Sequence, residues 1–90
     1  MEEQARRIIL HYGLIPQLKY MQSEIFELNE AVLEYYHNYE EGLGHIEEEL
    51  ADVLVMLLQI KEYFRLEEKD IKEIMQQKID RQLRRMEEGK

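Results

Sequence analysis

The sequence predicts an all-α fold, an antiparallel helical bundle of three to four helices within one domain that spans residues 1–90. Only one proline and four glycines interrupt a chain that is rich in Glu, Leu, Ile, Lys and Gln, which favour helix. Apolar residues recur at steps of three and four, and no segment alternates as a strand would. A domain of 90 residues buries only roughly 60% of its unfolded surface. We therefore expect oligomerisation to complete the bundle.

The first two helices are marked by their breakers and by apolar spacing. A helix over residues 2–12 can end at Gly13, and Pro16 suits the first turn of the next helix. A core-facing stripe then follows at helical spacing, formed by Leu18, Met21, Ile25, Leu28, Val32 and Tyr35. Polar residues and two glycines between His37 and Gly44 predict a turn.

The third helix is predicted from about His45 to Phe64. Its centre, residues 53–58, is apolar on every side, so we expect it to be covered all round, partly by a second subunit. A brief connection over residues 66–70 leads to a last helix from Ile71 to about Glu87. Its predicted inward residues are Ile71, Ile74, Met75, Ile79, Leu83 and Met86.

Charge and composition exclude several classes of protein. A formal net charge of −8 argues against unaided nucleic-acid binding, although a metal ion would still allow a phosphate ligand. The absence of cysteine excludes disulfides and thiolate metal sites, and it predicts a cytoplasmic location. The N-terminus is too charged for a signal peptide, and no segment approaches the roughly 20 apolar residues of a spanning helix. We expect no membrane partner.

Two pairs of acids interrupt the apolar pattern. On the second helix, one strip beside the stripe holds Gln17, Tyr20, Glu24, Glu27, Ala31 and Glu34. Glu24 and Glu27 are three residues apart, so their carboxylates can converge on one ion, although this spacing also occurs on solvated helix faces.

Glu49 and Asp52 repeat this spacing at the start of the most apolar helix, with Asp52 directly against the apolar run. A carboxylate there is costly unless it is paired, caps a helix or binds a metal. Four carboxylates from two helices form a hard oxygen site, which suits Mg²⁺ or Mn²⁺ better than zinc.

The register of the two helices tests this shared site. The acid pairs come level in an antiparallel hairpin only if the turn is centred near residue 38, whereas the glycines stand at 42 and 44. We therefore expect the second helix to end near Tyr36 or His37, and the following loop to run back along this helix before the third helix begins. A helix continuing to Glu41 would offset the pairs by roughly 9 Å.

The spacing of the acids resembles a known signature. Glu24-x-x-Glu27 and Glu49-x-x-Asp52 are similar to the E-x-x-E and E-x-x-D motifs of the MazG-like branch of the all-α nucleotide pyrophosphohydrolases, and the resemblance spans roughly residues 15–86. Residues 78–85 resemble the basic segment that contacts phosphate in many relatives. Ser23 departs from the family, which commonly has Glu at that position.

The resemblance implies a Mg²⁺-dependent hydrolase that cleaves NTP or dNTP to NMP and pyrophosphate, as a homodimer or homotetramer. The four acids would be the metal ligands and catalytic residues, with Glu24 or Glu27 taking the proton of the attacking water. Lys78, Arg81 and Arg85 would bind phosphate, although cations near a helix C-terminus are also favoured by the helix dipole. Gln17 and Tyr20 are candidates for binding the base or sugar, and Tyr20 also suits core or interface packing.

Three alternatives remain open from the sequence. A non-catalytic helical module that acts as an oligomeric scaffold or regulator explains everything except the acids beside the apolar core. A di-iron carboxylate bundle fits Glu34-x-x-His37 but needs a second E-x-x-H, which the chain lacks. Phosphoribosyl-ATP pyrophosphatase shares the fold and similar acids, so the reaction type is better defined than the substrate.

Overall fold

The computed structural model describes residues 1–37 and 42–89, and within them it contains four helices and no strand. The helices are α1 (Glu2–Tyr12), α2 (Leu14–His37), α3 (Gly42–Tyr63) and α4 (Glu68–Glu87). The predicted all-α fold is confirmed. None of these helices is long and apolar enough to cross a membrane.

The junction between α1 and α2 follows the local sequence. Gly13 adopts φ 97°, where side chains are rarely tolerated, and its N–H donates to the Ile9 carbonyl at 2.8 Å. Pro16 lies in the first turn of α2, where its missing N–H costs no helical hydrogen bond. The Gly13 carbonyl accepts from the Gln17 N–H at 3.2 Å and so closes the first turn of α2. The predicted bounds of α1 are confirmed.

α2 and α3 pack antiparallel, and contacts between their side chains define the register. Gln17 Nε2 donates to Gln59 Oε1 at 2.8 Å, and a Glu24 carboxylate oxygen lies within 4.8 Å of one from Asp52. Both pairs are symmetrical along the chain about position 38, and α2 ends at His37, as predicted. The predicted return loop falls on residues 38–41, outside the described residues, and α3 begins at Gly42, earlier than predicted.

The core is small and lies where α1, α2 and α3 meet. α1 packs mainly against α3 and to a lesser extent against α2. The buried apolar side chains are Ala5, Ile9, Ala31, Val53 and Met56. Two of these five side chains are alanines, so the core of the single chain has little volume.

The predicted core-facing stripe of α2 is only partly correct. Its members Ile25 and Val32 are exposed, and the buried residues of α2 are Glu24 and Ala31 instead. The reason is the contact between helices: α3 packs along the strip that carries the acids, which the sequence analysis placed beside the stripe. The acid-bearing strip is therefore part of the helix interface.

The centre of α3 is only partly covered within a single chain, and the cover expected from a second subunit stays a prediction. Val53 and Met56 are buried, but Leu54, Val55 and Leu57 remain about half exposed. α1 and α2 cover only one side of this helix, since α4 adds no contact to it in the described residues. The opposite side stays apolar and open.

The predicted inward face of α4 is wrong for a single chain. α4 begins at Glu68, earlier than predicted, and contacts none of the other three helices within the described residues. Ile71 is partly buried, while the other predicted inward residues are exposed, namely Ile74, Met75, Ile79, Leu83 and Met86. The radius of gyration is 16.2 Å, against about 12 Å for a compact domain of this length.

Candidate metal centre

Three of the four predicted acids converge where α2 and α3 face each other. Glu24, Glu49 and Asp52 each offer one carboxylate oxygen, and these oxygens all lie within 4.8 Å of one another. The i,i+3 spacing places Glu49 and Asp52 on one face of α3, and the antiparallel register brings Glu24 opposite them. We call these three residues the acid cluster.

Glu24 is the most buried acid of the cluster. Its side chain is 5% exposed, whereas Glu49 is half-buried and Asp52 is exposed. We expected Asp52 to lie directly against the apolar run of α3, whereas the structure leaves this residue exposed. The correction follows from the helix contact, because α3 covers Glu24 directly while Asp52 borders an open cavity.

Two oxygens of the cluster lack a hydrogen-bond partner. Glu24 Oε2 and Glu49 Oε2 are buried and accept no hydrogen bond within the described residues. Among the described residues, no lysine or arginine forms an ion pair with the cluster. The ion pairs in these residues join Lys61 to Glu62 and Lys72 to Glu68. Uncompensated buried carboxylates are costly, so the cluster fits a cation that prefers oxygen ligands.

Burial also perturbs the protonation of these acids. Desolvation is the main cause that raises the pKa of Glu24, and the hydrogen bond from Tyr20 opposes it. Desolvation likewise raises the pKa of Glu49, followed by the negative charges of Glu27 and Asp52. His45 lowers the pKa of Glu49, but less strongly than these causes raise it. A divalent cation would reverse this balance by favouring the ionised carboxylates.

Glu27 stands apart from the other three acids. It is exposed and is not among the residues whose oxygens converge. Its negative charge nevertheless raises the pKa of both Glu24 and Glu49, so it borders the cluster. The structure therefore brings together three of the predicted ligands and leaves the fourth at the edge, with its carboxylate open to solvent.

The two predicted nucleotide-binding residues lie beside the acid cluster. Gln17 and Tyr20 line a cavity of about 610 Å³ together with Glu24 and Asp52. The hydrogen bond to Glu24 is the main cause that raises the pKa of Tyr20. Tyr20 itself is more than half exposed, so core packing within one chain is not its role.

Residues that were not among the predicted site residues also line the cavity. Ile8 and Tyr12 reach it from α1, and Gln59 reaches it from α3. Gln59 follows Asp52 by two helical turns on the same face of α3 and interrupts an apolar run, which is a signal that could have identified it. Nothing in the local sequence indicated that α1 would close this side.

The predicted phosphate-binding residues are not near the acid cluster within one chain. Lys78, Arg81 and Arg85 lie on α4, which contacts no other helix in the described residues. Lys78 and Arg81 line a shallow depression on α4 itself, together with Arg84. Comparisons with protein-family models, curated proteins and solved structures found no significant match to this chain.

Proposed function

We propose that this chain is a Mg²⁺-dependent nucleoside triphosphate pyrophosphohydrolase of the MazG-like kind, which cleaves NTP or dNTP to NMP and pyrophosphate. The observation that supports this most strongly is the acid cluster, with two unpartnered carboxylate oxygens at the wall of a cavity of about 610 Å³. Cavities of 300–1,000 Å³ are typical of small-molecule sites. Binding of a negatively charged triphosphate to this site needs a bound cation, because the chain itself carries a net charge of −8 and would repel it.

In the proposed site, Glu24, Glu49 and Asp52 hold Mg²⁺. When bound, the ion neutralises charge on the triphosphate oxygens and on the leaving pyrophosphate. Tyr20 donates its hydroxyl hydrogen to Glu24 and so orients that carboxylate. Ionisation of all three acids is a condition for this role.

Glu27 is the proposed general base, because it lies at the edge of the cluster and is exposed. Its carboxylate accepts the proton of the attacking water as the water oxygen bonds to the α-phosphorus. The bond between the α-phosphorus and the α,β-bridging oxygen then breaks, and the electron pair leaves with pyrophosphate. One water is consumed for each NMP and pyrophosphate formed.

The proposed phosphate-binding residues require a second copy of the chain. Lys78, Arg81 and Arg85 follow an i, i+3, i+7 spacing along one edge of the apolar stripe of α4. In the proposed homodimer or homotetramer, α4 of one copy packs on the open apolar side of α3 of another. This packing would bury both exposed surfaces, and the cations would have to extend around α3 to reach the acid cluster, which lies on its α2 side.

The reaction is tested by incubating the purified protein with a panel of NTPs, dNTPs and phosphoribosyl-ATP, with and without Mg²⁺. We expect NMP and pyrophosphate only when Mg²⁺ is present. Release of orthophosphate would contradict cleavage between the α- and β-phosphates. Turnover confined to phosphoribosyl-ATP would assign the chain to the related phosphoribosyl-ATP pyrophosphatases.

The role of the acid cluster is tested by Glu49→Gln, with the exposed neighbour Glu48→Gln as the matched control. Loss of a ligand should lower kcat/KM by more than about 100-fold, since second-shell partners alone are worth 10–100-fold. The control should retain turnover, and both variants should keep the helical circular dichroism. Retained turnover in Glu49→Gln would remove this residue from the site.

A non-catalytic helical interaction module is the second candidate. It is favoured by the exposed apolar side chains of α4, such as Ile79 and Leu83, which serve no purpose in an isolated chain. This function predicts a stable assembly with no metal-dependent hydrolysis of any nucleotide in the panel.

A further inference from the structure

Gln59 is the most deeply buried polar side chain of the described residues, at 2% exposed. Its Oε1 accepts a hydrogen bond from Gln17 Nε2 at 2.8 Å. Within residues 1–37 and 42–89, its Nε2 donates only to Met56 Sδ, at 3.6 Å, and a thioether sulfur is a weak acceptor. An amide that is buried without full hydrogen bonding destabilises the fold, and leucine would fill this position at no such cost.

The hydrogen-bonded pair Gln17 and Gln59 borders the cavity beside the acid cluster. Gln59 and Gln17 both line the cavity, as do Glu24 and Asp52. Seven residues separate Gln59 from Asp52 along α3 and Gln17 from Glu24 along α2, which is about 10 Å on a helix. The cavity therefore has a carboxylate end and an amide end two helical turns apart.

The wall between these two ends is apolar and partly aromatic. Ile8 and Tyr12 contribute from α1, and Val55 and Met56 contribute from α3. Flat heterocycles bind well against such side chains, because they stack on aromatic rings and lose little on leaving water. The amide end offers N–H donors and a carbonyl acceptor side by side, which is the pattern that pairs with the edge of a nucleobase.

We propose that the amide end, Gln17 and Gln59, is the base-specificity site of this chain and reads the hydrogen-bonding edge of a nucleobase that lies against Tyr12. The inference rests on the proposed function for its ligand class and extends it to the base. The two-turn spacing between amides and acids leaves room for the sugar between base and phosphate. Gln59 is a specificity residue in this arrangement and takes no part in bond cleavage.

The test uses nucleosides, which carry no phosphate and need no metal. Binding of adenosine, guanosine, cytidine, uridine and ribose 5-phosphate to the full chain is measured by NMR chemical-shift perturbation without Mg²⁺. We expect at least one nucleoside to bind, with shifts at Ile8 and Tyr12, and ribose 5-phosphate alone to leave these signals unmoved. Binding of no nucleoside, or equal shifts from ribose 5-phosphate, would overturn the proposal.

Gln59→Leu is the decisive variant, and Gln22→Leu on the exposed surface of α2 is its matched control. We expect Gln59→Leu to weaken the preferred nucleoside about tenfold, since a lost hydrogen bond costs on that order, and to reduce the differences among the four bases. The control should match wild type. Gln17→Leu, on the less buried partner, should give the same loss and keeps the test valid if Gln59→Leu alters the helical circular dichroism.

Unchanged nucleoside preference in both glutamine variants would overturn the role of the amide end. The outcomes also separate the two proposals. Base-selective nucleoside binding without hydrolysis of any triphosphate would support this site while contradicting the pyrophosphohydrolase. Loss of hydrolysis in Glu49→Gln, together with an unchanged base preference in Gln59→Leu and Gln17→Leu, would support the pyrophosphohydrolase while contradicting the role of the amide end.

Discussion

Glu24 shows at the scale of one residue the cost in stability that the acid cluster carries. It occupies a position on α2 that α3 covers, where an apolar side chain would pack without cost. Burial favours its neutral form, and the nearby charges of Glu27 and Asp52 add to this effect. The proposed metal site would give a reason for an acid here, because Oε2 has no hydrogen-bond partner within the described residues and a bound cation would supply one.

The raised pKa of Glu24 makes stability depend on pH in a defined direction. Between the ordinary value of 4.5 and the raised folded value, the folded protein holds more protons than the unfolded chain. The free energy of unfolding contributed by Glu24 therefore falls as pH rises through this window. In metal-free protein, Glu24→Gln should raise Tm at pH 7, and its advantage over wild type should shrink as pH falls towards 4.5.

Thermal unfolding in EDTA, followed by circular dichroism across this pH range, measures the effect. Glu30→Gln, at an exposed position of the same helix, is the control and should leave Tm unchanged. Added Mg²⁺ should raise Tm of wild type more than that of Glu24→Gln, because binding to the folded state alone is stabilising. A constant Tm difference at all pH values would argue against the burial of an ionised Glu24.

At the scale of the elements, the end of α3 carries an unfavourable residue. Arg65 has φ 54°, and its N–H donates to the Glu62 carbonyl while the Leu66 N–H donates to the Lys61 carbonyl. These two bonds form the Schellman motif, whose left-handed position is usually glycine. The chain turns away from α3 at this point, so the motif also sets the direction in which α4 leaves.

Arg65→Gly should stabilise the chain by roughly 0.5–1 kcal/mol, because glycine removes the free-energy cost of the left-handed conformation. The greater conformational entropy of glycine in the unfolded chain offsets part of this gain. Chemical denaturation measures the difference. Arg65→Ala is the matched control: it loses the same charge but keeps a Cβ at positive φ, so it should not stabilise. Equal stability of the two variants would show that charge, and not backbone conformation, decides the effect.

At the scale of the whole molecule, the single chain leaves two apolar surfaces open within the described residues. α4 exposes an apolar stripe along its length, and α3 exposes Leu54 and Leu57 on the side away from α1 and α2. Contiguous apolar surface of this kind marks a protein contact. Since three cations line one edge of the stripe and α3 carries Glu49 and Asp52, charge favours contact between two copies.

Ile79 lies in the middle of the stripe, so Ile79→Glu should disrupt the proposed assembly. Burying an unpaired carboxylate and losing an isoleucine contact should weaken self-association by more than about 100-fold. Analytical ultracentrifugation should show an oligomer for wild type and for Gln77→Glu, which changes charge on the opposite face of α4, and a monomer for Ile79→Glu. A monomeric wild type would contradict self-association.

Subunit complementation tests whether the cations act across the contact. A chain with Glu49→Gln and a chain with Arg81→Ala and Arg85→Ala should each be inactive in the proposed hydrolysis. Mixing and reassociating the two should restore activity, because one site of the mixed assembly then receives intact acids from one copy and intact cations from the other. Failure to recover activity from confirmed mixed assemblies would place these cations outside the site.

The sequence by itself determined the helices, the pairing of α2 with α3, and three of the acids that meet between them. These depend on short-range rules: Gly13 breaks a helix, and i,i+3 spacing aligns Glu49 with Asp52. It also located the hairpin centre, since only one register makes the acid pairs level.

Tertiary structure alone decided which acid is buried, which face of α2 forms the contact and what closes the cavity. Helical periodicity defines a face only approximately. The face of α2 that contacts α3 is rotated about the helix axis relative to the predicted stripe, so Glu24 is buried and Ile25 is exposed. The approach of α1 to the cavity, and the departure of α4 from the other helices, depend on chain direction at Gly13 and Arg65. Such directions arise from packing between distant residues, which local sequence patterns do not specify.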